Sequence, residues 1–232
     1  MTSIKRIWKE ILKDIYKKGS IHYKDGVEIK EILNISAWVD NPMNDYRQLF
    51  IPKERYIEFL KDGVFNIEGY DIKNEALSEY VVALDNKKFI YLTENNGFIY
   101  TYPERLQNYR MKININQIDV IIQRLKKDKG TNRAVAVLYN PELDANREDI
   151  PCLNWIQALI RDNSLYLSVM FRSNDIYNAF PSNMFFITYV GLSILEALRK
   201  EYPALTFEGI YYQCSSAHYY TDFEEDVIKI LE

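Results

Sequence analysis

Cysteine and histidine are scarce in this chain, whose 232 residues contain only Cys152, Cys214, His22 and His218. Neither pair clusters as a zinc site requires, so no metal is expected. With no export signal, both thiols are expected to stay reduced. Positive charge is not in surplus either. Lys and Arg number 29 against 33 Asp and Glu, for a formal net charge of -4. That argues against a general polyanion binder, because nucleic-acid affinity draws on phosphate-neutralising cations. A small anion held by a few local arginines is still allowed. Long apolar runs are missing as well. The longest, around residues 184–198, is interrupted by Thr188, Tyr189 and Ser193 and is too short to span a bilayer. The N-terminus lacks the small-residue cleavage site of a signal peptide. A cytoplasmic protein with no membrane or nucleic-acid partner is the expectation. No internal repeat is visible.

A chain of this length can bury one sizeable core, so a single α+β domain over residues 1–232 is the default. Ile4, Ile7, Trp8, Ile11, Leu12 and Ile15 recur at helical spacing and predict a core-packing helix. Lys18-Gly19 and Lys24-Asp25-Gly26 read as turns, and residues 31–39 alternate as a strand does. Residues 52–61 read as a helix. Residues 62–97 mix charge with Tyr and Phe and offer helix and loop with similar force. In residues 114–127, Ile118, Ile121, Ile122 and Leu125 share one face behind an Asn start, which predicts an amphipathic helix. Residues 134–139, 152–160 and 165–171 are apolar runs of strand length. Turn chemistry at Asn140-Pro141 and Asp162-Asn163-Ser164 separates them, and the last two read as a hairpin. Residues 184–200 predict a buried helix, 205–214 a strand and 222–231 a closing helix. The expected architecture is a mixed β-sheet packed on a long buried helix, with polar groups carried at the strand ends.

Four chemically distinct groups fall between residues 152 and 183: the thiol of Cys152, the guanidinium of Arg172, the carboxylate of Asp175 and the amide of Asn183. Such a set can attack, anchor and read a small planar ring carrying a phosphate. Each member also has a plainer reading. A free cysteine is more often a small buried hydrophobe, and its thiolate needs cationic neighbours near neutral pH. Arg172, at the end of the adjoining hairpin strand, is placed to be one. Arg172-Ser173-Asn174-Asp175 ends a strand, where ligand groups gather, or is a surface turn whose ion pair is worth little. Asn183 either caps the buried helix or offers the donor and acceptor that match O4 and N3-H of uracil. A carboxylate there would suit cytosine better. His218 and Tyr220, one residue apart, face the same way in an extended segment. They are a satisfied imidazole beside a half-buried aromatic, or two groups on one sugar oxygen. Cys214 reads as structural.

In order along the chain, Pro151-Cys152, Gln157, Arg172-Ser173-Asn174-Asp175, Pro181-Ser182-Asn183 and His218-Tyr219-Tyr220 resemble the thymidylate synthases and the related pyrimidine nucleotide hydroxymethylases. Upstream, Tyr100-Thr101-Tyr102-Pro103-Glu104-Arg105-Leu106 is similar to that family's Tyr-Gly-x-Arg-Leu run, and Thr131-Asn132-Arg133 to its paired-arginine turn. The resemblance covers roughly the last 130 residues. The first half matches more loosely, through the opening helix and Lys30-Glu31-Ile32-Leu33.

The resemblance implies a homodimer that transfers one carbon from methylenetetrahydrofolate to C5 of a pyrimidine nucleotide. Cys152 matches the nucleophile, and Tyr102 a tyrosine that helps remove the C5 proton. Arg172 matches the arginine that touches both phosphate and thiolate, and Ser173 its phosphate-binding neighbour. Asp175 stands where base and pterin are oriented. Asn183 is the base reader and points to uracil. Gln157, His218 and Tyr220 complete the substrate set, the last two on the deoxyribose hydroxyl, and Arg133 reaches the partner's phosphate. Methyl transfer to dUMP is the first expectation. A hydroxymethylase acting on dUMP, dCMP or CMP, or a nucleotide-binding homologue without catalysis, is the alternative. Departures are also visible. Asn132 replaces the first of two arginines, and Lys24-Asp25-Gly26 stands where an arginine precedes a glycine. Pro103 and Ala179 replace glycines, and Leu153 replaces a histidine. No tryptophan-rich folate-facing segment or matching glutamate is recognisable in residues 62–97. The chain is also expected to lack the tail that closes over folate, and a shorter lid would admit the water that diverts methyl to hydroxymethyl.

Overall fold

Ile4, Ile7, Trp8, Ile11, Leu12 and Ile15 form one buried face of helix α1 (Ile4–Lys18), as their spacing predicts. The computed structural model describes residues 4–42, 64–67, 70–73, 100–107, 109–110 and 114–232. The helix expected over residues 52–61 lies outside them. Within residues 62–97, β3 (Val64–Ile67) and β4 (Tyr70–Lys73) form an antiparallel pair.

One six-stranded sheet organises the rest. Strand β1 (Ser20–Lys24) turns through Asp25 and Gly26 into β2 (Val27–Asp40). Both turn residues have positive φ, 52° and 81°, the conformation a two-residue hairpin needs and one that Gly supplies without strain. After α2 (Tyr102–Gln107), two short strands pair, β5 (Tyr109–Arg110) and β6 (Asn114–Ile115). Helix α3 (Gln117–Lys127) follows. It begins three residues later than expected, because Asn116 rather than Asn114 is the cap. The Asn116 side chain accepts from Ile118 N at 3.0 Å and Asp119 N at 3.2 Å. Strand β7 (Val135–Val137) is shorter than the apolar run suggested, since Asn140 and Pro141 already start the short helix α4 (Pro141–Asp144).

Strands β8 (Leu153–Arg161) and β9 (Ser164–Asp175) are the expected hairpin. Helix α5 (Phe180–Leu198) carries the chain over to β10 (Thr206–Tyr220), which lies parallel to β9, and α6 (Glu224–Leu231) closes the fold. The strand order is β1-β2-β10-β9-β8-β7, with all other neighbours antiparallel. A mixed sheet resting on a long buried helix is therefore what the chain forms. Thr188 and Ser193 do not give α5 a polar face, because their hydroxyls donate to Met184 O and Tyr189 O one turn back. Gly191 lets the Phe207 ring of β10 sit against the helix, where a β-carbon would collide with it.

One sheet face, with Val39, Ile156, Leu167, Val169, Phe171, Ile210 and Tyr212, is buried under the helices. The other leaves Val137, Met170, Trp38 and Tyr211 exposed by 43%, 41%, 40% and 39%. No helix among the described residues is long and apolar enough to cross a membrane.

Candidate active site

Two strands run further than the apolar pattern indicates, and the extra length builds the site. Strand β9 continues through Arg172-Ser173-Asn174-Asp175, and β10 through His218 and Tyr220. Parallel register sets Ser173 beside Ser216 and Asp175 beside His218. Antiparallel register with β2 sets His218 opposite Glu31. The polar stretches are thus ladder segments rather than loops. Backbone pairing explains why they need no apolar run to stay extended.

Cys152 sits just before β8 and is partly buried. Its carbonyl accepts from Arg172 N at 2.9 Å. The Arg172 side chain wraps the preceding residues, with Nη2 2.6 Å from Ile150 O and Nε 3.2 Å from Pro151 O. Burial pushes the thiol above its ordinary range. Arg172 and Lys24 oppose the rise in that order, Asp149 adds to it, and a hydrogen bond with Tyr100 lowers it. Lys24 thus adds to the field of Arg172 at the sulfur from β1. Its Nζ also lies 5.8 Å above the Tyr220 ring.

Tyr102 is buried, with its hydroxyl 3.4 Å from Leu153 N. Tyr100, which sequence reasoning quoted but gave no role, donates to Ile150 O at 3.1 Å and favours the thiolate of Cys152. The buried pair Arg105–Asp144, at 2.6 Å, braces this corner, and the Arg105 guanidinium lies 5.9 Å from the Tyr100 ring.

Asn183 does not cap its helix. Helix α5 begins at Phe180 after Ala179, so Asn183 lies within the first turn, where its side chain donates to Asn174 Oδ1 at 2.9 Å. Asn174 Nδ2 in turn donates to the Tyr212 hydroxyl at 2.9 Å. Both Asn174 and Tyr212 were missed as site residues. Asn174 stood in the quoted motif, but Tyr212 carried no local signal. The carboxylate of Asp175 accepts from Asn178 N at 3.0 Å and Asn178 Nδ2 at 2.8 Å, which fixes its orientation. Ser173 is buried beneath this surface. The segment after Asp175 is pinned from two sides, by Trp8 Nε1 on Ile176 O at 2.6 Å and by Ile176 N on His218 O at 2.7 Å.

His218 is 1% exposed, and neither ring nitrogen has a hydrogen-bond partner among the described residues. Burial, then the charge of Lys24, hold the imidazole below its ordinary value against the pull of Asp175. A neutral, unpaired ring nitrogen suits a ligand hydroxyl. The Tyr220 ring stands edge-on to it at 5.7 Å.

Gln157 and Arg133 are not gathered with this group. Gln157 pairs across the hairpin with Ser168, and its Nε2 donates to Asn132 O at 2.8 Å. Arg133 lines a cavity of about 320 Å³ with Arg124, Lys127, Asp128 and Thr131. Arg161 Nη2 donates to Asn132 Oδ1 at 2.5 Å, so a guanidinium stands beside the position where the first arginine of the pair is absent.

The family model described as thymidylate synthase matches residues 6–232. A protein of Methanocaldococcus jannaschii named "Putative thymidylate synthase" is 32% identical, covering 98% of this chain and 92% of its own length. Proteins with the same name from Methanococcoides burtonii and Methanopyrus kandleri are 28% and 32% identical. They cover 99% and 69% of this chain, and 92% and 72% of their own lengths.

Proposed function

The chain belongs to the thymidylate synthase family, and on that premise we propose that it transfers one carbon from methylenetetrahydrofolate to C5 of dUMP, giving dTMP through a covalent adduct on Cys152. The observation that carries this reading is the meeting of the thiol, Arg172 and Lys24 in one electrostatic environment, with Asn183 held by Asn174.

C5 of uracil is a poor nucleophile. Addition of the Cys152 sulfur to C6 pushes the C5-C6 electron pair toward O4, and the resulting enolate makes C5 carbanion-like. Arg172 and Lys24 favour the thiolate that starts this step. Asn183 meets N3-H and O4, and stabilises charge growing on that oxygen. His218 and Tyr220 bind the sugar hydroxyl. Tyr102, beside the nucleophile segment, would assist loss of the C5 proton once C5 has taken the carbon, and sulfur would leave C6 last, restoring the ring double bond only after the folate nitrogen has departed and the new carbon has been reduced. The folate cosubstrate supplies the carbon and, for a methyl product, the hydride. Asp175, its carboxylate held by Asn178, would meet the pterin.

The same reading makes the protein a cytoplasmic homodimer. The exposed apolar sheet face around Trp38, Met170 and Tyr211 is where a second copy would pack, and Arg133 would meet the partner's phosphate. Incubation with dUMP and methylenetetrahydrofolate tests the reaction: dTMP and dihydrofolate should form in equal amounts. A hydroxymethyl product without dihydrofolate would make the protein a hydroxymethylase instead. Tritium release from C5-labelled dUMP should occur with the native chain and vanish in Cys152→Ala. No release from dUMP, dCMP or CMP would leave a binding protein.

A further inference from the structure

Three side chains of one short stretch touch the segment that carries Cys152 at three points. Arg105 Nη2 donates to Asp144 Oδ1 at 2.6 Å, Tyr100 Oη donates to Ile150 O at 3.1 Å, and Tyr102 Oη takes the N-H of Leu153 at 3.4 Å. A guanidinium only donates and a carbonyl only accepts, so the first two bonds each run one way. Between the end of α4 and the start of β8, residues 145–152 form neither helix nor strand, and residues 145–149 are exposed. With no ladder or helical repeat to order that stretch, contacts at its two ends must hold the thiol in place.

The ion pair is the member that stability does not explain. The Arg105 and Asp144 side chains are 3% and 0% exposed. Asp144 is satisfied, since its Oδ2 accepts from Asn140 N at 2.8 Å. Arg105 Nη1, also buried, has no hydrogen-bond partner among the described residues. A buried pair of this kind is often no more stabilising than apolar side chains of similar volume, and an unmade buried hydrogen bond is unfavourable. The charge does have a second neighbour: the guanidinium lies 5.9 Å from the centroid of the Tyr100 ring, within cation–π range. Arg105 thereby serves both ends of the stretch, Asp144 directly and Ile150 through Tyr100.

We infer that Arg105 is a positioning residue for the nucleophile, clamping residues 144–150 at both ends so that the Cys152 sulfur is held where it can reach its substrate. The inference rests on Cys152 being the attacking group of the proposed reaction, and it adds to that reaction a residue that acts only through others.

Replacing the pair together, Arg105→Met with Asp144→Leu, removes the clamp without stranding a buried charge, so the protein should melt at or above the native temperature. Amide exchange in residues 145–153 should quicken roughly fivefold or more, while α5 keeps its protection. With dUMP, kcat should fall roughly tenfold, as a misplaced nucleophile requires, and KM should stay within about twofold of native. Tyr100→Phe, which deletes one hydroxyl, should show the same split in smaller measure, and it decides the matter where the paired replacement does not fold. Unchanged exchange, or quicker exchange with native kcat, would overturn the clamp and leave the dUMP reading in place. A raised KM with native kcat would put the loss in substrate binding and overturn it as well. If the native chain turns over no dUMP, that reading falls; quicker exchange then still supports the clamp, and unchanged exchange rejects it.

Discussion

The guanidinium of Arg172 holds the carbonyl of Ile150 at 2.6 Å, two residues before the thiol of Cys152. With Nε on Pro151 O, the fork spends two of its five N-H groups on backbone and keeps the rest for an anion. It shapes the nucleophile segment, and in the proposed reaction it would also meet the phosphate.

Arg172→Lys keeps the charge but loses the fork. Charge-assisted bonds of this type are worth about 1.5–3 kcal/mol, so kcat/KM for dUMP should drop roughly tenfold to a hundredfold. Alkylation of Cys152 should slow as well, because the segment loosens. Steady-state kinetics and iodoacetamide labelling measure the two effects, and an unchanged kcat/KM would refute the double role.

Tyr100 is expected to steady the thiolate. In the neutral state its hydroxyl donates to Ile150 O, a carbonyl that Arg172 also serves. The phenol proton can therefore turn to the sulfur without stranding that acceptor. Tyr100→Phe should raise the pH midpoint of Cys152 alkylation by about one unit, the equivalent of one hydrogen bond. Tyr102→Phe should leave the midpoint in place and lower turnover. Matching alkylation profiles for Tyr100→Phe and the native chain would rule Tyr100 out.

His218 ties stability to pH. Its folded value lies below the unfolded 6.5, so above that pH the ring is neutral in both states and contributes no pH dependence. As pH falls below it, the unfolded chain takes up the proton first and the fold loses stability, until the folded ring is protonated too. As pH falls below 6.5, melting temperature should drop more steeply in the native protein than in His218→Gln. Parallel curves would count against a buried neutral imidazole.

The homodimer can be tested with two inactive variants. Cys152→Ala lacks the nucleophile, and Arg133→Ala lacks the group expected to serve the partner. Mixed after dissociation, they should regain about a quarter of native activity, since random pairing restores one complete site in half the dimers. Tyr211→Glu, placed on the exposed sheet face, should sediment as a monomer. Independent monomers with full activity would refute the assembly.

Much of the fold was legible because apolar periodicity reports burial directly. The face of α1, the β8–β9 hairpin and the apolar length of α5 all follow from side chains that must leave water. Local rules failed at the boundaries. Asn114 and Asn116 are equally good caps on paper, and backbone pairing of Asn114 with Arg110 decides between them. Asn183 looked like a cap because it precedes an apolar run, yet the helix had begun three residues earlier.

By itself, the sequence determined which groups were available: the thiol, the guanidinium, the carboxylate and the amide, in an order that matches one family. Side-chain chemistry travels with the residue and needs no neighbours to be recognised. Tertiary structure alone decided how those groups are tuned, because hydrogen bonds and electrostatic fields act across space rather than along the chain. Lys24 reaches the environment of Cys152 from β1, and Tyr212 reaches Asn174 from 38 residues away. No local pattern encodes either meeting. Both depend on β10 lying parallel to β9 and antiparallel to β2, a pairing set by how the whole apolar surface is buried.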